Sequence, residues 1–276
     1  MPVSRPPPDV PSLGLSLRGA WDGAIDRCPP AQLEVLAESH LAPGAGRALR
    51  RRFPDATFHV HSVCLDVGTT DALQRDLLGA VADLARDLEA ATVSVHLSFS
   101  RAGGVAVDDL LPLPRTVEAL QHCVERLGVV QDRIEARVCI ENVSRYLDPS
   151  PSAALGEAEF LAAVAERAGC GVLLDVNNLF VTSRNLGLDL ERELAALPLA
   201  AVELLHVAGH EAWASGVLVD THSGPPCPAV VALARRVLEA HPRAIPCILE
   251  WDRDVPSFAT VSAALHGVRA GLEGDA

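Results

Sequence analysis

The chain contains a series of short apolar runs, each of which ends in polar side chains. In the clearest case, residues 171–174 are Gly-Val-Leu-Leu, and Asp175, Asn177 and Asn178 follow. An unbroken apolar run of this length is typical of a parallel strand that is covered on both faces. A carboxylate and two amides at its end are costly to bury unless a partner such as a metal ion binds them, whereas on an exposed loop they would serve as turn residues.

Further strand-like runs end in the same way, and their terminal side chains are of types that bind metals. Five of them end at His61, His96, Glu141, His206 and Glu250. Residues 171–180, 201–210 and 217–222 are predicted to form strands. The two-residue spacing of Asp220 and His222 would place both side chains on one side of the last of these strands.

Segments with helical spacing separate these strands. The predicted helices span residues 70–90, 114–128, 157–169, 189–196, 228–241 and 257–272, whereas the Gly-rich residues 102–113 are predicted to form a long loop. Strands that alternate with helices indicate parallel strands joined by helical crossovers. About eight such units in roughly 250 residues favour an α/β fold of the (β/α)8 TIM-barrel type. A doubly wound open sheet is the alternative, but no Gly-rich phosphate turn follows the first strand.

The barrel is predicted to occupy residues 13–276 as one domain, because no linker-like stretch interrupts it. Residues 1–12 are predicted to form a short, flexible N-terminal leader, and they lack the basic-then-apolar order of a signal peptide. No window approaches about 18 uncharged apolar residues, so a transmembrane helix is not expected. Together these features predict a cytoplasmic protein.

Charge and cysteine content narrow the classes of function. The formal net charge is −13, and an acidic chain without a basic stripe is a poor candidate for binding nucleic acid. The chain has seven cysteines, an odd number, and no C-x-x-C motif. Both features argue against a disulfide framework and against a zinc knuckle.

The polar strand ends form a set of nitrogen and oxygen donors, and functional groups of a barrel lie at the carboxyl ends of its strands. The candidate metal ligands are His61, His96, Glu141, Asp175, Asn178, His206, Asp220, His222 and Glu250. Imidazole mixed with carboxylate suits iron, manganese or zinc. Nine donors exceed the needs of one octahedral ion and predict two or three ions, with a carboxylate such as Glu141 as a bridge. Neighbouring residues expected to support the ligands or contact substrate are Asn177, Arg184, Asn185, His210 and Asp252.

Several stretches resemble the signature series of a known family, the multinuclear non-heme iron-dependent oxidative enzymes, of which the methanobactin-biosynthesis oxidase is the best-known type. The stretches are HSV at 61–63, VSVHLSFS at 93–100, ENVSRYL at 141–147, LLDVNNLFVTSRNLG at 173–187, LHVAGH at 205–210, DTH at 220–222 and LEWD at 249–252. The DVNN stretch with the following N-x-G is the most specific of these.

This resemblance implies a barrel that holds two or three irons and uses O2 as a co-substrate. It assigns His61, His96 and Glu141 to one iron. It assigns Glu141, Asp175, His206 and Glu250 to the second, and Asn178, Asp220 and His222 to a weaker third site. It also implies that the substrate is a Cys-containing ribosomally made precursor peptide and that a separate protein binds the leader of that peptide.

Three other classes remain open on the sequence alone. A sugar isomerase or an apurinic endonuclease can share the barrel and the His, Asp and Glu ligands while acting on a sugar or a phosphodiester without a redox metal. A metal-binding protein without catalytic activity is the second class. A carrier-peptide binding module that has retained the fold is the third, although the complete set of candidate ligands argues against it.

Overall fold

The computed structural model describes residues 11–150 and 152–274. Its strands are β1 (Leu13–Ser16), β2 (Gln32–Leu36), β3 (Thr57–Ser62), β4 (Thr92–His96), β5 (Ser98–Ala102), β6 (Val105–Pro112), β7 (Arg137–Glu141), β8 (Gly171–Asp175), β9 (Val202–Val207), β10 (Glu211–Ala212), β11 (Leu218–Val219) and β12 (Cys247–Leu249). Eight of them form a closed barrel in the order β1-β2-β3-β4-β7-β8-β9-β12. Each described pair in this ring is parallel, and the predicted (β/α)8 barrel is confirmed.

The α-helices are α1 (Ala45–Arg52), α2 (Arg75–Leu88), α3 (Val117–Arg133), α4 (Glu157–Ala168), α5 (Val176–Leu186), α6 (Leu190–Ala196), α7 (Pro228–Ala240) and α8 (Phe258–Glu273). Their apolar stripes pack on the outward side chains of the strands and form one large buried cluster. In the described part of the chain, no helix is both long and apolar enough to cross a bilayer.

A second, smaller apolar cluster lies inside the barrel and consists of Cys139, Leu173, Leu204 and Ile248. Two residues further along the same strands, or just past their ends, come Glu141, Asp175, His206 and Glu250. Because side chains alternate along a strand, these polar groups point into the barrel directly beyond the apolar layer. The alternation of side chains thus places an apolar layer directly below the candidate site, where it excludes water.

The predicted strand boundaries need correction in two places. The predicted strand 171–180 ends at Asp175, because this side chain caps helix α5, which begins at Val176. The predicted strand 201–210 ends at Val207, so His210 lies in the loop that follows.

The prediction that residues 217–222 form one strand is wrong. Only Leu218 and Val219 are extended, and they pair with β10 outside the barrel because β12 pairs directly with β9. His222 has a left-handed backbone, with φ of 47°. Asp220 and His222 therefore come together in an irregular segment after β11 and not along one face of a strand.

The predicted loop 102–113 is also wrong, because it forms most of the hairpin β5–β6. Gly103 and Gly104 make its two-residue turn with φ of 60° and 78°, the left-handed values that such a turn requires. Most of the predicted leader, residues 1–10, lies outside the described residues, while Ser12 accepts a backbone hydrogen bond from Cys247 of the barrel.

Candidate metal centre

The carboxyl ends of β3, β4 and β7 bring together a first group of donors. Glu141 Oε2 lies 3.6 Å from Nδ1 of His61 and 3.4 Å from Nε2 of His96. Neighbouring strands place these residues in register, since His96 is the direct partner of Glu141 in the pair β4–β7. The three side chains can hold one metal ion.

Glu141 also belongs to a second group, with Asp175 and His206. Its other oxygen, Oε1, lies 3.5 Å from Nδ1 of His206, and Oδ2 of Asp175 lies 4.0 Å from the same nitrogen. The carboxylate of Glu141 thus faces one group with each oxygen, which is the arrangement that a bridging ligand needs.

A third group contains Asp175, His222 and Glu250, and a fourth contains Glu34, His206 and Glu250. Nε2 of His222 lies 3.8 Å from Oδ2 of Asp175, and its Nδ1 lies 3.3 Å from Oε2 of Glu250. Asp220 lies beside the third group, with Oδ1 at 2.8 Å from Nε2 of His222.

Several of these donors are buried without a hydrogen-bond partner. The unpaired atoms include Glu141 Oε2, Asp175 Oδ2, Asn178 Oδ1 and His96 Nδ1. Leaving such atoms unpaired in the protein interior costs free energy. Metal ions would provide partners for carboxylate and imidazole donors of this kind, so the residues present fit a metal cluster.

The pKa values of the site depend on burial and on the crowding of like charges. Burial lowers the pKa of His61 well below its usual value and lowers that of His96 to about 4, which keeps both rings in the neutral form that binds metals. Burial raises the pKa of Glu141 to about 7 and that of Asp175 well above its usual range. Burial alone would lower the pKa of His206, but the carboxylates of Glu34 and Glu250 outweigh it and raise this pKa.

Each candidate histidine on β3 and β9 is held by a second side chain. Nδ1 of His61 forms a 2.8 Å hydrogen bond with the hydroxyl of Ser94. Nε2 of His206 donates to Oε2 of Glu34 at 2.8 Å. Supporting contacts of this type fix the ring orientation and the tautomer of a metal-binding histidine.

Asp175 is positioned from two directions. Its Oδ1 accepts the backbone N–H of Asn178 at 2.7 Å and caps α5, which leaves Oδ2 free to face the donor groups. The side chain of Asn142 both donates to the carbonyl of Asp175 and accepts from its N–H, at 2.9 Å each.

The residues predicted to support the ligands lie at three places. Asn177 donates to Oδ1 of Asp220 and accepts from Nδ1 of His210, both at 2.7 Å, while Asp252 accepts from Nδ1 of His222 at 3.1 Å. The amide of Asn185 exchanges two 2.9 Å hydrogen bonds with the backbone of Leu218. Arg184 instead lies over the ring of Phe180.

Sequence reasoning missed Glu34 and Arg18. Glu34 is fully buried, and its position between Leu33 and Val35 on an alternating strand could have shown that it points inward. Arg18 contacts Asp252, and its Nη2 lies 3.5 Å from Oε1 of Glu250. No pattern in the sequence distinguishes Arg18 from a surface arginine.

A cavity of about 470 Å³ opens above the donors at the carboxyl face of the barrel. Its walls include His61, His96, His222 and Glu250, together with the half-buried Leu110 and the exposed Tyr146. A small ligand or a short segment of a chain can therefore reach the candidate metal site from outside.

Solved structures of other barrels share this fold at low sequence identity. Endonuclease IV from Thermus thermophilus is 21% identical with a TM-score of 0.61, covering 96% of this chain and 100% of that chain. D-Psicose 3-epimerase from Clostridium cellulolyticum, solved with D-tagatose, is 10% identical with a TM-score of 0.64, covering 95% and 97%. Similarity at these identities concerns the fold alone.

Closer relatives are similar along nearly the whole sequence. A UPF0276 protein from Caulobacter vibrioides is 38% identical over 264 residues, which are 92% of each chain. The family model described as RiPP precursor modification enzyme MbnB/TglH/ChrH matches residues 12–273. The resemblance inferred from the sequence motifs is thereby confirmed, and the chain belongs to the MbnB/TglH/ChrH family of RiPP precursor modification enzymes.

Proposed function

We propose that this chain is an O2-dependent oxidase that holds two or three irons and modifies a cysteine of a ribosomally made precursor peptide. One observation carries the multinuclear part of the proposal. Glu141, Asp175, His206 and Glu250 each belong to two of four overlapping donor groups. Donors shared in this way suit a cluster of ions better than a single ion.

The donor chemistry supports iron and an external thiolate. Every candidate ligand offers nitrogen or oxygen, and none of the cysteines takes part in a donor group of the described residues. Mixed imidazole and carboxylate ligands suit iron. Bound irons would supply the redox chemistry with O2, which amino acid side chains do not provide.

The chain's own residues orient the donors and shape the space above them. Glu34 and Ser94 hold the rings of His206 and His61, and Asp252 holds His222. The apolar layer formed by Cys139, Leu173, Leu204 and Ile248 keeps water away from the lower side of the donors. The cavity admits the substrate side chain from the opposite side.

A separate leader-binding protein is part of this proposal. The cavity holds only a short part of a peptide, so affinity for that part alone should be weak, because ordering a flexible chain is costly. A second protein that binds the leader would raise the effective concentration of the reacting segment. Adding it should lower KM for the peptide more than it changes kcat.

The test is to express the chain together with a short Cys-containing peptide and a candidate leader-binding protein sought among the neighbouring genes, and to weigh the peptide by mass spectrometry. A mass change that requires iron, O2 and the core cysteine is expected. His206→Ala should remove it, and the exposed His266→Ala serves as the matched control. A mass change that persists after the core cysteine is replaced by serine would contradict the thiolate assignment. Activity with zinc and without O2 would favour a hydrolase or isomerase instead.

A further inference from the structure

Exposed apolar side chains are concentrated around the mouth of the cavity. Eight large apolar side chains are exposed in the described residues, and six of them lie in connections that follow barrel strands at the carboxyl face. The six, which we call the apolar arc, are Val105, Val107, Tyr146, Leu147, Trp213 and Val217. The other two, Val117 and Val129, lie on α3. Exposed apolar groups that are gathered on one face of a protein are typical of interaction sites.

The β10–β11 end of the arc is held in place by hydrogen bonds. Trp213 and Val217 face each other across the hairpin turn, where the N–H of Trp213 donates to the carbonyl of Val217 at 2.9 Å. The hydroxyl of Tyr146 accepts the N–H of Asp220 at 3.0 Å and joins the loop after β7 to this hairpin. Trp213 is thus 60% exposed on a fixed support.

The β5–β6 end is also fixed. The N–H groups of Gly103 and Gly104 donate to the two carboxylate oxygens of Asp71 at 2.7 and 2.9 Å. The ladder is irregular between Phe99 and Arg101, where several residues of β6 stand opposite one residue of β5. Such bulges redirect side chains near functional sites, and Leu110 from this segment lines the cavity.

We infer that the apolar arc binds the residues of the precursor peptide that flank the modified residue, as an extended segment laid over the mouth of the cavity. This inference rests on the proposed function. A cavity of about 470 Å³ is of the size that encloses a small ligand, so the flanking residues of a peptide have to lie outside it. Leu110 and Tyr146 line the cavity and continue into the arc, so the peptide reaches the arc as it leaves the cavity.

The negative charge at the β5–β6 end of the arc indicates which side chains the bound segment carries. Asp108 and Asp109 are exposed between Val107 and Leu110, and Asp109 also lines the cavity. A segment that carries apolar side chains together with a basic side chain is complementary to this end of the arc. Its binding should therefore weaken as the salt concentration rises.

The experiment measures binding separately from turnover. The probe is the dye-labelled Cys-containing peptide used in the mass-spectrometry test above, and its affinity for the chain of residues 1–276 is measured by fluorescence anisotropy. Trp213→Ala and Leu147→Ser should each raise Kd about tenfold, because buried aromatic and apolar anchors dominate such interfaces. Val129→Ser changes an equally apolar, exposed side chain on α3 and should leave Kd unchanged. In turnover the two arc variants should raise KM with little change in kcat.

A second readout uses the tryptophans themselves. Trp213 is 60% exposed, whereas Trp21 and Trp251 are 0% and 5% exposed, so quenching by acrylamide reports mainly on Trp213. Binding of unlabelled peptide should protect it from quenching. Tight binding and protection without any modification would contradict the proposed chemistry and leave the docking surface supported.

Three results overturn the inference. The first is a peptide that binds wild type and both arc variants equally, with Trp213 unprotected. The second is a peptide that does not bind the wild-type chain, with or without the leader-binding protein. The third is that the two arc variants lose affinity for the leader-binding protein while their affinity for the peptide stays unchanged. In that case the arc binds the leader-binding protein and not the peptide.

Discussion

Glu34 Oε2 accepts a hydrogen bond from Nε2 of His206 at 2.8 Å, and both side chains are completely buried. The bond places a ring proton on Nε2, while Nδ1 faces Glu250 at 3.0 Å and Glu141 at 3.5 Å. A residue on β2 therefore sets the orientation of a donor on β9, three strands away around the barrel.

Glu34→Gln tests this relationship. The amide keeps the size of the side chain and loses its charge, so we expect metal affinity to fall about 10- to 100-fold while the barrel remains folded. Metal content after dialysis and circular dichroism should be measured together. Glu118→Gln, an exposed carboxylate on α3, is the matched control. Unchanged metal affinity in Glu34→Gln would show that the contact does not orient a ligand.

Substitution of Asp175 should have two separable effects, because one oxygen of its carboxylate caps α5 and the other faces the donor groups. Asp175→Ala should lose bound metal and also the cap, at a cost of about 1 kcal/mol in the free energy of unfolding. Asp175→Asn keeps an oxygen that can cap the helix and should lose the metal without that cost. Metal analysis and denaturant unfolding of the metal-free variants distinguish the two. Full activity in both variants would rule out Asp175 as a ligand.

The ion pair of Asp148 with Arg115, which lies away from the metal centre, should make the stability of the protein depend on pH. Hydrogen bonds from Arg115 at 2.8 and 3.0 Å hold the pKa of Asp148 at about 2, below the ordinary 3.8. A lowered folded-state pKa stabilises the protein above the unfolded value, and this contribution is lost as the pH falls through the folded value. Asp148→Asn should cost roughly 1–2 kcal/mol at neutral pH, allowing for solvent screening of a partly exposed pair.

The difference in unfolding free energy between wild type and Asp148→Asn should shrink as the pH falls below about 4. Urea unfolding at several pH values measures it, with the exposed Asp55→Asn as the control. A difference that stays constant down to the lowest accessible pH would contradict the assignment of this ion pair.

The barrel and most of the donor set could be predicted from sequence, because both follow from local patterns. An apolar run that ends in a polar residue predicts the carboxyl end of a strand, as at Glu141 and Asp175, and parallel strands place such ends at one rim of a barrel. Glu34 could not be singled out in this way, because the apolar run continues past it to Leu36. Its role depends on its register against its neighbours and on a contact with His206, 172 residues away.

Asp220 and His222 were predicted together for the wrong reason. Their two-residue spacing indicated one side of a strand. In the structure an irregular segment with a left-handed His222 brings Oδ1 of Asp220 to 2.8 Å from Nε2 of His222. The hairpin β5–β6 was predicted as a loop since its exposed residues have no inward-facing apolar alternation. In both cases the conformation depends on contacts distant in sequence, such as those of Asn185 with Leu218 and of Asp71 with Gly103.

Counting the metal ions tests the central claim of a multinuclear iron site most directly. The chain is loaded with iron without oxygen, freed of excess metal and measured by elemental analysis and Mössbauer spectroscopy. We predict about two to three irons per chain, because the overlapping donor groups exceed the needs of one ion, and we predict a lower count in His206→Ala. A single tightly held zinc, with no iron bound and no dependence of activity on iron, would contradict the account.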